Sequence, residues 1–120
     1  MQKKILLVDD SRVDLEKITN ILESGNYEVI RATNGEEAMM QATTQHPDLI
    51  ILDVVMPGKD GFQTCRDLKK NDITKDIKII MLTNKSSKTD EYWERKQGAD
   101  DYLTKPFNEI ELISSVEKLI

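Results

Sequence analysis

Two stretches decide the fold: Ile5-Leu6-Leu7-Val8 followed by Asp9-Asp10, and Leu49-Ile50-Ile51-Leu52 followed by Asp53. Unbroken apolar runs of this length read as strands of a parallel sheet buried on both faces. Open parallel sheets place their chemistry just beyond the carboxyl ends of their strands, so three carboxylates are predicted to meet in one crevice. Such a cluster repels itself unless a cation neutralises it. A hard, oxygen-seeking divalent ion suits it, and Mg²⁺ is the expected cofactor.

Outward from these runs, strand and helix alternate five times. Residues 4–8, 48–52 and 77–82 are predicted as strong strands, with weaker, edge-like ones at 27–31 and at Tyr102-Leu103. Ser11 with Asp14 resembles a capping box, opening a first helix that carries Leu15, Ile18, Ile21 and Leu22 and ends near Gly25. Asn34 with Glu37 opens a second, Asp60 or Gly61 a third through Leu68, Thr89 a fourth stopped by Gly98, and Asn108 with Glu111 a fifth. Right-handed crossovers then give a single α/β domain over residues 1–120, a doubly wound, flavodoxin-like sheet of five parallel strands with five helices.

Composition narrows the function classes. The chain has 120 residues, a charged fraction of 32% and a net charge of -5, which argues against bulk attraction to nucleic-acid phosphates. No apolar run reaches the roughly 20 residues needed to span a bilayer, so no membrane insertion is expected. The N-terminus runs directly into a strand, and the single cysteine, Cys65, fits a reducing compartment; a cytoplasmic location is expected. Cys65 and the methionines, including adjacent Met39 and Met40, read as core packing, and His46, before Pro47, as solvated surface.

The order Asp9-Asp10, then Asp53 with Met56-Pro57-Gly58 and Asp60-Gly61, then Thr83, then Lys105-Pro106 resembles the receiver domains of two-component response regulators (CheY-like) over the whole chain. The resemblance implies that Asp53 accepts a phosphoryl group from a histidine kinase or phosphotransfer domain. It implies Mg²⁺ on Asp9, Asp10, Asp53 and the backbone carbonyl of Val55, with Asp9 acting through a water. Lys105 and Thr83 would contact the phosphoryl group, with a cis Lys105-Pro106 bond aiming the ammonium. Thr83 and Tyr102 would form a switch, the ring turning inward when the hydroxyl is drawn to the phosphoryl group. An output protein is implied at the face of the fourth helix, fifth strand and fifth helix. There Tyr92, Trp93 and Arg95 suit either a binding hot spot or helix packing.

The stretch 90–106 further resembles the stand-alone receivers of type IV pilus chemosensory systems, the PilH-like group, which implies a role in twitching motility. Simpler readings exist for each piece alone. Asp9 and Asp10 could cap a helix, Met56-Pro57-Gly58 is physically a turn, Thr83 could be an ordinary strand residue and Tyr102 an edge tyrosine. Their joint occurrence at successive strand ends favours the signalling reading. An aspartyl-phosphate phosphatase would want an acid where Val55 stands. Val55 and Lys85 also depart from the best-known chemotaxis receiver beside the route of attacking water, which leaves a lasting signal and a phosphate sink both open.

Overall fold

In this computed structural model, residues 2–54, 60–83 and 98–120 are described. Their elements are β1 (Lys4–Val8), α1 (Arg12–Ser24), β2 (Glu28–Ala32), α2 (Gly35–Gln45), β3 (Leu49–Asp53), α3 (Gly61–Lys70), β4 (Lys78–Thr83), β5 (Asp101–Thr104) and α4 (Glu109–Leu119). The predicted fourth helix, Thr89 to Gly98, lies outside the described residues except for Gly98. The helix expected to be fifth is therefore α4 here. The strands form one parallel sheet in the order β2-β1-β3-β4-β5, as expected for a doubly wound fold.

Period-two alternation along the strands divides the core between the two faces of the sheet. Leu6, Val8, Ile50, Leu52, Ile79 and Met81 pack with Ala38 and Ala42 of α2 and Cys65 and Leu68 of α3. Ile5, Leu7, Leu49, Ile51, Ile80 and Leu82 pack with Leu15, Ile18 and Leu22 of α1 and Leu112 and Val116 of α4. All twelve strand residues are fully buried, which is why these runs carry no polar alternation.

Several boundaries differ from those predicted, for local reasons. β3 begins at Leu49 instead of residue 48: Asp48 meets Lys4 through its own N–H, donated to Lys4 O at 2.7 Å, while the Lys4 amide goes to the Asp48 carboxylate at 2.8 Å and not to a strand carbonyl. The strand extends instead to Asp53, placing the acid on the last rung. β4 likewise ends on Thr83. The Asn108–Glu111 capping box is complete, with Glu111 N–H donating to Asn108 at 2.8 Å and Asn108 N–H to Glu111 at 3.2 Å. At Ser11 only half a box forms: the hydroxyl accepts the Asp14 amide at 3.3 Å, but the Asp14 carboxylate is engaged elsewhere. Met39 packs against the core while Met40 is 56% exposed, since adjacent residues on a helix cannot face the same side. His46 is exposed, at the left-handed end of α2.

Candidate functional site

Because β1 and β3 are neighbours, their carboxyl ends bring Asp9, Asp10 and Asp53 to one edge of the sheet. Ligand oxygens from the three lie within 4.8 Å of one another. Asp9 is fully buried and Asp53 nearly so, whereas Asp10 is exposed. The Asp9 carboxylate is held by the Ser11 amide at 2.9 Å and its own amide by the Ala32 carbonyl at 3.1 Å. The chain leaving Asp53 is pinned on both sides: the Val54 N–H donates to Leu82 O at 3.0 Å, and the Val54 carbonyl accepts the Gly61 N–H at 2.9 Å.

Gly61 fits only because it lacks a side chain. A Cβ there would stand 2.2 Å from the Asp53 carbonyl oxygen and 2.7 Å from the Val54 Cα. The start of α3 thus lies directly on the backbone of the acid, and the Asp60 carboxylate caps that helix through the Gln63 amide at 2.8 Å.

Lys105 supplies the cation. Its amide extends the β4–β5 ladder by donating to Thr83 O at 2.6 Å, and the Lys105–Pro106 peptide is cis as expected. Its ammonium lies 3.1 Å from Asp9 Oδ2, 3.0 Å from Asp14 Oδ2 and 3.7 Å from Asp53 Oδ1. Burial alone would push the Lys105 pKa down, but the hydrogen bonds to Asp14 and Asp9 and the attraction of Asp53 outweigh it, and the pKa rises above the ordinary 10.5. The ammonium is therefore firmly charged near neutral pH.

Thr83 is buried at the end of β4. Pairing of Met81 with Tyr102 and Thr83 with Thr104 sets Thr83 and Tyr102 diagonally on neighbouring strands, and the Tyr102 ring packs half-buried against the α2–α3 side of the core. Val55, Met56-Pro57-Gly58, Lys85, Tyr92, Trp93 and Arg95 lie outside the described residues. Asp14 is a site residue that sequence reasoning missed, having read it only as part of a cap. Cys65 is fully buried, and burial pushes its thiol pKa up to about 11, which agrees with a packing role.

Residues 5–117 match the response regulator receiver domain family. The chain belongs to that family. It is 40% identical over 117 residues to PilH of Pseudomonas aeruginosa, covering 98% of this chain and 97% of PilH. Its fold superposes with a TM-score of 0.94 on the chemotaxis protein CheY4 of Vibrio cholerae, at 32% identity and full coverage of both chains. The receiver domain of the sensor histidine kinase PA1611 of Pseudomonas aeruginosa superposes at 0.92 with 30% identity, covering 99% of this chain and 98% of that one. That structure holds a magnesium ion in its active-site cleft. Other relatives are longer: the chain spans 49% of the PhoP regulator of Bacillus subtilis and 52% of the PhoB regulator of Pseudomonas aeruginosa.

The chain is thus a PilH-like receiver domain of a two-component response regulator. Receiver domains typically serve as phosphoacceptor signalling modules, working with histidine kinases and output partners. No helix among the described residues is long and apolar enough to cross a membrane.

Proposed function

We propose that this receiver, spanning residues 1–120, accepts a phosphoryl group on Asp53 from a phosphohistidine of a histidine kinase or phosphotransfer domain, with Mg²⁺ as cofactor. The observation that carries the reading is the meeting of Asp10 with the buried Asp9 and Asp53 beside Lys105, the carboxylate oxygens within 4.8 Å of one another and the Lys105 ammonium 3.7 Å from Asp53. An all-oxygen donor set with more negative than positive charge fits a hard divalent ion. Asp9, Asp10 and Asp53 would hold it, together with the Val55 carbonyl that the family resemblance implies. When bound there, Mg²⁺ would neutralise charge on the phosphoryl oxygens.

Phosphoryl transfer asks the protein mainly for positioning and electrostatics. An Asp53 carboxylate oxygen forms the O–P bond as the donor's P–N bond breaks, and the imidazole nitrogen keeps the electron pair. Lys105 meets the phosphoryl charge, and the Thr83 hydroxyl donates to one of its oxygens. Hydrolysis by water restores Asp53 and releases inorganic phosphate, so the chain catalyses nothing beyond its own phosphorylation and dephosphorylation.

Movement of Thr83 towards the phosphoryl group is coupled to inward rotation of the Tyr102 ring, and the face of β5 and α4 changes its affinity for an output protein. The likeness to PilH supports cytoplasmic signalling to type IV pili, in twitching motility. Acetyl phosphate tests the site: mass spectrometry should find one added phosphoryl group on the wild type with Mg²⁺, and none without Mg²⁺ or in Asp53→Asn. Continued single phosphorylation of Asp53→Asn under the same conditions would refute the assignment.

A further inference from the structure

We propose that Asp14 is a positioning residue for Lys105, holding the ammonium towards α1 in competition with a phosphoryl group on Asp53. The inference rests on the phosphoacceptor reading of Asp53 given above.

The strand periodicity explains how a helix residue reaches this lysine. Asp9, Asp53 and Lys105 continue the series Ile5-Leu7, Leu49-Ile51 and Leu103, which all face α1 and α4. Asp14 sits in the first turn of α1, held there by its backbone bond to Ser11, and lines an open cleft with Lys17, Ile18, Lys105, Pro106 and Phe107. The Lys105 ammonium is nearer to Asp14, at 3.0 Å, than to Asp53, at 3.7 Å.

One positive charge is therefore shared by three carboxylates, and only two of them belong to the acidic cluster at the strand ends. A phosphoryl group on Asp53 adds further negative charge that draws on the same ammonium. Any interaction with Asp14 that is stronger in the resting state than in the phosphorylated state biases the protein towards rest. The Asp14 side chain is 38% exposed, which keeps the effect in the range of partly solvated ion pairs.

Beryllofluoride formed with Mg²⁺ serves as the probe, with affinity read by calorimetry and by the amide shifts of Thr83 and Thr104. Asp14→Asn should bind it about twofold to fivefold more tightly than wild type, and Asp14→Glu should restore the wild-type affinity. The Lys105 side-chain Hε and Cε shifts of the free protein should move in Asp14→Asn and return in Asp14→Glu. In a Lys105→Met background the Asp14→Asn gain should vanish, because the residue acts through the ammonium.

Unchanged or weaker binding in Asp14→Asn overturns the inference. So does an equal gain in the Lys105→Met background, which would mean general relief of negative charge. Both results leave the phosphoacceptor reading standing, provided the wild type binds the probe. Failure of the wild type to bind it overturns that reading and this inference together. The backbone cap from Ser11 is retained in every variant, and a cooperative melt of each confirms the fold.

Discussion

Replacing Gly61 by alanine tests the closest packing in the site. In an unconstrained helix this change stabilises by up to about 1 kcal/mol through backbone propensity. Here the added Cβ would meet the Asp53 carbonyl oxygen at 2.2 Å and the Val54 Cα at 2.7 Å, both backbone atoms on a buried strand end that cannot swing aside. Restoring ordinary contact requires α3 to retreat by about 1 Å, enough to forfeit a quarter to a half of each dispersion contact it loosens. The contacts at risk are those of Thr64, Cys65 and Leu68, all fully buried. Overpacking of this kind costs about 1–3 kcal/mol, and with backbone on both sides the upper end applies. For a domain of this size that lowers the Tm by about 10 °C or more.

Gly25→Ala provides the contrast. Its Cβ would meet the Tyr27 ring at 3.3 Å and the Leu22 carbonyl oxygen at 3.4 Å, close to ordinary contact, at a backbone φ of -86°, so its Tm should stay within about 2 °C of wild type. Thermal unfolding followed by circular dichroism, with urea titration alongside, measures both. A Gly61→Ala melt at or above the wild-type temperature would show that the tight contact between α3 and β3 does not exist in solution.

Further expectations concern the core, β5 and the helix caps. The Cys65 thiol, with its pKa raised from 9.0 to about 11, favours the folded state fully below pH 9; that stability should be lost between pH 9 and 11, by up to about 2–3 kcal/mol. Urea titrations across that range should show the decline and Cys65→Ala should flatten it, while the native thiol should resist alkylation at pH 8 until the protein unfolds. Burial pushes Asp101 up, but the Ser115 hydroxyl at 2.7 Å, the Tyr102 amide and Lys118 outweigh it, leaving its pKa below the ordinary 3.8. Its contribution is present above pH 3.8 and lost as pH falls through the lower folded value; Ser115→Ala should cost about 1 kcal/mol at neutral pH, and denaturant titrations should find the gap narrowing in acid. Asn108→Ala, which dismantles a complete capping box, should cost about 1–2 kcal/mol, and Ser11→Ala, which removes one long hydrogen bond, about 0.5 kcal/mol; equal losses in urea titrations would contradict the distinction.

The strands and the acidic trio were legible because the signal is linear: apolar runs stop where carboxylates begin, and topology does the rest. Asp9, Asp10 and Asp53 needed no knowledge of side-chain packing to be grouped. Strand limits were less legible, since the Lys4 amide at the start of β1 goes to the Asp48 side chain and not to a strand carbonyl, a contact between positions 44 apart. The second role of Asp14 is illegible for a related reason. Its spacing from Ser11 fits a local cap, yet its carboxylate answers a lysine 91 positions away, and no periodicity in α1 records that. Gly61 reads in the sequence as a helix opener. That its missing Cβ makes room for the Asp53 carbonyl is a fact of three-dimensional approach.

The Lys105–Asp9 contact joins residues 96 positions apart, across a sheet whose fifth strand is its last to be made. During synthesis Asp53 emerges with β3, long before its cation has been translated. A nascent chain therefore carries the three strand-end acids before Lys105 is there to meet them. On the phosphoacceptor reading proposed above, only a chain that has docked its final crossover presents a charge-balanced acceptor, because the acids of β1 and β3 meet their cation only when β5 closes the edge of the sheet.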